Sequence, residues 1–257
     1  MSTDLAITTE QHTKNVDIPP QYQEFAKVFS EEESQQFPPS RPWDHMIEFK
    51  KDTPNAIDCK VYPMSQTEDQ GLQSWLKEQF EKGYIHPSKS QYASSFFVIK
   101  KKDRKLCPVQ DYQCINNYTI QNQYPLPLIS NLITNLWNTY IYTKLDIHWG
   151  YNNICIKVGD EHKATFKPCY GLYEPLVMFF GLTNSPATFQ MMMNHIFVPL
   201  ISKYELLGTT IRVYMDDITI ATCTTVHGYT VVVHNVLKLT TEHNLYFKPK
   251  KCIFHAL

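Results

Sequence analysis

The chain has no apolar run approaching the ~18 residues a membrane-crossing helix needs, so a helical membrane protein is excluded. Met1 to Glu10 shows no basic stretch followed by an apolar core, so no secretory leader is visible. An intracellular protein of the cytoplasm or nucleus is expected. The seven cysteines are odd in number and scattered, which argues against a disulfide framework and for reduced thiols. Cys252 and His255, with His243 upstream, lack a second cysteine pair at ligand spacing, so a zinc site is not expected. A basic excess is also missing. Lys plus Arg is 24, Asp plus Glu is 25, and the net charge is −1. Such a balance lacks the usual footprint of a nucleic-acid binder. The local run Lys100-Lys101-Lys102-Asp103-Arg104-Lys105 is the exception, and charge runs are most often solvated loops. There is no internal repeat and no low-complexity segment.

What is present fits a globular core: 43% hydrophobic and 13% aromatic residues in 257, enough for one large domain or two small ones. Residues 1–60 are polar, then punctuated by Pro19-Pro20, Pro38-Pro39, Pro42 and Pro54. They read as an extended arm or linker with one short helix near Gln21 to Ser30. Ser65-x-x-Glu68 is a capping box; Leu72, Trp75, Leu76 and Phe80 follow on one helical face, and Gly83 is placed to end the helix. Ser94 to Ile99 and Tyr140 to Asp146 read as strands, with a helical stripe at Leu128, Ile129, Leu132, Ile133 and Leu136 between them. Ser185-Pro186 suits an N-cap and first turn, with Phe189, Met193, Ile196, Phe197 and Leu200 facing inward. Val226 to Leu239 has helical spacing but poor propensity, with Gly228 and valines at 231–233. Helices and short strands mix without a βαβ rhythm. An α+β fold is expected, with helices on one face of an antiparallel sheet.

Val213-Tyr214-Met215-Asp216-Asp217-Ile218-Thr219-Ile220 places two carboxylates between two β-branched runs. The pattern reads as a hairpin with the acids in its turn. Asp is also simply a good turn residue. Asp146, at the end of an earlier strand, changes the weighing. If the strands are neighbours, three carboxylates converge at one sheet edge, as two divalent ions roughly 4 Å apart would need for phosphoryl transfer.

These segments resemble the reverse transcriptase of gypsy-type LTR retrotransposons. Leu145-Asp146-Ile147-His148-Trp149-Gly150-Tyr151-Asn152-Asn153 is similar to the family's first catalytic motif. Phe179-Phe180-Gly181-Leu182-Thr183-Asn184-Ser185-Pro186-Ala187-Thr188-Phe189-Gln190 matches the segment that supports template and nucleotide. Tyr214-Met215-Asp216-Asp217 matches the signature hairpin. Arg41 to His45, Tyr124 to Ile129 and Lys248 to Cys252 are family-like and in the family's order. The resemblance runs from about Val16 to His255. It implies an α+β fingers-and-palm fold without a thumb: an arm at 1–60, fingers at 61–120 and 154–184, and a palm at 121–153 and 185–257.

The resemblance also implies an RNA-directed DNA polymerase, with RNA or DNA template, primer and dNTPs as partners and no membrane. Two Mg²⁺ ions, or Mn²⁺, would be held by Asp146, Asp216 and Asp217, with the carbonyl of Ile147 joining. Lys101, or its neighbours Lys100 and Lys102, would reach the triphosphate. Tyr151 would lie under the sugar and reject a 2′-hydroxyl. Phe180 and Met215 would pack near the nucleotide.

Several positions depart from the family pattern. Cys107 and Gln113 stand where the family carries arginine, Arg104 replaces a glycine, and His148 and Lys167 also replace arginines. A thiol cannot replace a planar five-donor cation. The family's thumb and RNase H would follow Leu257, a protease would precede, and neither they nor an integrase is expected within this chain. Two readings follow: a polymerase core with weak turnover, or a retroelement remnant that keeps the fold and weak nucleic-acid binding.

Overall fold

The computed structural model describes residues 18–100, 106–128, 130, 134, 136, 139–223 and 225–256. Lys101 to Lys105 therefore lie outside the described residues, as do Ile129, Leu132 and Ile133 of the stripe expected at 128–136.

Two sheets organise the chain. The smaller is built from β5 (Ile141–Asp146), β8 (Thr209–Tyr214), β9 (Asp217–Thr222) and β10 (Ile253–Ala256), in the order β10-β5-β9-β8 and antiparallel throughout. Alternation sets its two faces. Leu145, Ile211, Val213, Ile218 and Ile220 are buried, while Lys144, Asp146, Arg212, Tyr214, Asp217 and Thr219 share the opposite face by register. The apolar face packs against α3 (Ser185–Glu205) and α4 (Val226–Glu242) through Phe189, Met193, Phe197, Val232 and Val236. The larger sheet runs β1 (Ile57–Asp58), β3 (Tyr92–Lys100), β6 (Phe166–Lys167), β7 (Tyr173–Pro175), β2 (Ile85–Pro87), and β4 (Leu106–Asp111) pairs with β3. Its core, around Leu72, Phe96, Tyr112, Phe166 and Phe179, is separate from that of the smaller sheet.

Local signals account for much of this. α1 (Gln66–Glu81) begins on the full capping box, with the Ser65 and Glu68 side chains each bonded to the other residue's amide. Phe80 faces outward and meets Tyr173 edge-on instead of joining the core. α2 (Gln113–Tyr118) is a short helix after β4. α3 starts one residue earlier than its composition suggests. Asn184 is the N-cap and makes no side-chain cap, because its amide is spent holding the backbone of Ile120 and Asn122. α4 forms despite its valines. Burying Tyr229, Val232, Val233, Val236 and Leu237 stabilises it by about 1.5–3 kcal/mol each, against propensity costs of a few tenths.

The expected arm is not a free linker over its described part. The 3-10 helix Pro20–Phe29 sinks Tyr22, Phe25, Val28 and Phe29 into the smaller sheet's core. The Val28 carbonyl accepts from the Phe247 amide at 2.7 Å, and the Arg41 guanidinium donates to the His243 carbonyl at the end of α4. The Tyr22 hydroxyl lies 3.0 Å from His255 Nε2, and Cys252 Sγ donates to the Lys248 carbonyl.

His45 joins the arm to α3. It is 1% exposed, its Nδ1 stands 3.0 Å from Thr188 Oγ1, and burial pushes its imidazole down to about 4, against a smaller opposing pull from Asp160. Between about 6.5 and about 4 the unfolded chain binds the extra proton, so stability falls as pH drops through that window. Urea unfolding should show a loss of about 2 kcal/mol between pH 7.5 and pH 5 from this group. His45→Asn should flatten that slope; an unchanged slope would contradict the assignment.

Candidate functional site

Asp146 ends β5 and Asp217 begins β9, and the two are register partners. Tyr214 pairs with Asp217, so the hairpin turn consists of Met215 and Asp216. The turn thus falls one residue earlier than the sequence suggests, and Asp217 is a strand residue. Met215 adopts φ 52°, a left-handed backbone that costs a methionine about 1 kcal/mol and needs external support. Gln190 of α3 supplies it. Its Oε1 accepts from the Met215 amide at 2.8 Å, and its Nε2 donates to the Val213 carbonyl and to Asn194. The Ile147 amide donates to the Asp216 carbonyl at 2.7 Å, stitching the end of β5 to the turn.

A second seam runs along the other side. The His148 amide donates to the Tyr246 carbonyl and the Lys248 amide to the Asp146 carbonyl, both at 2.7 Å. This seam leaves Asp146 only 4% exposed. It also delivers Lys251, whose Nζ lies 2.8 Å from Asp146 Oδ2. Lys144 Nζ lies 2.9 Å from Asp217 Oδ1, although that oxygen accepts no well-directed hydrogen bond. Among the described residues Asp216 has no such cation at ion-pair distance. Burial, then repulsion by Asp146 and Asp217, pushes its carboxyl up, while Lys251 pulls it down. The hydrogen bond to Asp146 holds the Lys251 ammonium above its ordinary value.

The donor set is three hard carboxylate oxygen groups at one rim, which suits a divalent cation bound through oxygen. Among the described residues no three His, Cys, Asp or Glu side chains already stand at metal-ligand spacing. The two lysines supply the counter-charge instead. Neither lysine was singled out from the sequence. The Lys248 to Cys252 match was the available signal, but it carried no role.

The remaining candidates surround this rim. Gly150 permits close approach: a Cβ there would lie 3.1 Å from Phe189 Cζ and 3.5 Å from Asp216 Cβ. Tyr151 packs against Phe180 and Phe189 with ring centroids 4.8 and 5.7 Å apart. Burial, with Asp216 nearby, pushes its phenol up to about 12. Phe180 is 63% exposed and Trp149 52% exposed. Both line a cavity of about 360 Å³ together with Cys107, Lys82 and Gln110. Ile147 is buried and Met215 half-buried. Lys101 lies outside the described residues; Lys100 pairs with Leu106 across β3 and β4. Gln113 opens α2, its amide donating to Asp111. Lys167 is ion-paired to Asp58, and His148 Nδ1 stands 2.9 Å from Ser34 Oγ, so both are engaged within the fold.

Gln190→Ala should strand the Met215 amide and destabilise the protein by about 2 kcal/mol in urea unfolding. Gln190→Met, which keeps most of the volume but offers no oxygen acceptor, should lose nearly as much. A methionine variant as stable as wild type would show that packing, not the amide contact, holds the turn.

Residues 99–256 match the model of the family described as reverse transcriptase (RNA-dependent DNA polymerase). The chain is 30% identical over 243 residues to the Transposon Tf2-3 polyprotein and, equally, to the Transposon Tf2-7 polyprotein, both of Schizosaccharomyces pombe. Those matches cover 94% of this chain but only 18% of each relative's length. Among solved structures, a foamy viral protease-reverse transcriptase in complex with dsDNA has a TM-score of 0.80 at 19% identity, covering 92% of this chain and 47% of that one. The foamy viral protein in complex with an RNA/DNA hybrid has a TM-score of 0.79 at 18% identity, covering 91% and 30%. These structures share the fingers-and-palm fold. With an acidic hairpin beside a strand-end aspartate on that fold, and with the family model matching through both, the chain belongs to the reverse transcriptase (RNA-dependent DNA polymerase) family.

Proposed function

We propose that this chain carries the nucleotidyl-transfer centre of a retrotransposon polyprotein. It would join deoxynucleotides to a primer 3′-hydroxyl under the direction of an RNA or DNA template. The observation that carries the reading is the register pairing of Asp146 with Asp217, with Asp216 on the intervening turn and all three at one rim of the palm sheet. The fingers would be 61–120 and 154–184 and the palm 121–153 and 185–257, and the two separate apolar cores support that division.

Asp146 and Asp216 would hold two Mg²⁺ ions, or Mn²⁺, with Asp217 and the Ile147 carbonyl in support. When bound, such ions lower the pKa of the attacking hydroxyl and neutralise the leaving pyrophosphate. The chain's own residues do the rest. Tyr151, pinned by Phe180 and Phe189, presents a rigid ring where a 2′-hydroxyl would collide, which selects deoxynucleotides. Gln190 fixes the height of the turn that carries Asp216. The basic run at 100–105 offers Lys101, Lys100 or Lys102 to the triphosphate, and Phe180 and Met215 border the nucleotide.

Turnover is expected to be weak. Cys107 lines the cavity beside Phe180 with a thiol where the family pattern has a guanidinium. An arginine that stabilises phosphoryl-transfer charge is worth on the order of 10³-fold in rate.

Purified protein given a primed RNA template, dNTPs and Mg²⁺ should extend the primer above an Asp216→Ala control. Extension equal to that control would leave the remnant reading. Cys107→Arg should raise single-nucleotide incorporation by about tenfold or more if the missing cation limits the rate. No gain would place the limit elsewhere.

A further inference from the structure

We propose that Lys251 is an intramolecular stand-in for the metal. Its ammonium neutralises Asp146 in the metal-free protein, and a divalent cation binds by displacing it. The proposal rests on the metal-binding reading of the three aspartates.

The geometry has two parts, one fixed and one loose. The backbone that carries Lys251 is held firmly. The Lys248 amide donates to Asp146, the Lys251 and Cys252 amides close the 3-10 turn Pro249–Lys251 on the Lys248 and Pro249 carbonyls, and Cys252 packs against the core. The side chain is not held. Among the described residues its far end is bonded to Asp146 alone, and it is 52% exposed, whereas the Asp146 side chain is 6% exposed. Rotating a lysine stem moves its ammonium from carboxylate to water without disturbing backbone. Asp146 has no such freedom, being the last residue of β5 with its carbonyl engaged.

Electrostatics makes some cation necessary at this position. A nearly buried carboxylate beside two others is costly unless neutralised. Lys251 lies close enough to all three aspartates to feel each of them. A divalent ion offers twice the charge and binds oxygens of more than one aspartate, so it can replace the ammonium. It must first break the Asp146 pair. The lysine therefore stabilises the empty rim and weakens metal affinity by the same interaction. Lys144 on Asp217 is a weaker version, because both its partners are substantially exposed.

The test uses Mn²⁺ binding followed by electron paramagnetic resonance, with no nucleotide or nucleic acid, alongside thermal melting with and without the ion. Wild-type protein should bind Mn²⁺ in a manner that Asp216→Ala abolishes. Lys251→Met should tighten that binding by about three- to tenfold, lower the melting temperature of the metal-free protein and enlarge the shift on adding Mn²⁺. Lys250→Met removes a neighbouring exposed charge that forms no ion pair among the described residues, and should change affinity less than twofold. That variant separates local competition from the general field. Lys251→Arg, which keeps a cation on Asp146, should bind no tighter than wild type. A Lys251→Met affinity no greater than that of Lys250→Met would overturn the stand-in role while leaving the metal reading intact. Mn²⁺ binding that survives Asp216→Ala, or is absent from both wild type and Lys251→Met, would overturn the metal reading itself.

Discussion

Like charge crowded at one sheet rim is the constraint on which the rest of the site depends. Asp146, Asp216 and Asp217 repel one another, and the upward push on Asp216 records part of that repulsion. An arrangement of this kind persists only when the backbone holds the acids by force and cations offset their charge. Both conditions are met, by different parts of the chain. Register pairing of β5 with β9 and the Gln190 clamp hold the positions. Lys251 and Lys144 offset the charge.

The surrounding fold supports that rim from behind. The open face of the palm sheet is free to carry polar residues because α3 and α4 bury the opposite face. The 3-10 helix Pro20–Phe29 then presses on the strand-like passage at 246–248, which in turn seals Asp146. A segment distant in sequence thus contributes to the burial of a single carboxylate. The same passage carries Lys251, so sealing and neutralisation of Asp146 come from one stretch of chain.

Legibility followed the range of the interaction. The capping box at Ser65, the alternation along β8 and β9, and the α3 stripe were readable because each depends on residues a few positions apart. The α-helix at 226–242 was doubtful on propensity and is secured by burial, which propensity does not contain. The Met215-Asp216 turn was misplaced by one residue, since strand pairing decides where a hairpin closes. Asn184 rather than Ser185 caps α3, because the asparagine side chain is committed to a distant loop.

By itself the sequence determined the α+β class and the family and pointed to the three aspartates as candidates, since ordered motifs and local periodicity carry that information. Only the tertiary structure decided which cations meet them. Lys251 and Asp146 are 105 residues apart, and no spacing rule links them. The arm likewise read as a linker, because its prolines are visible locally while the core that receives Tyr22 and Phe29 is not. Counter-ions and buried surfaces are chosen by proximity through space, and that proximity exists only after the chain has folded.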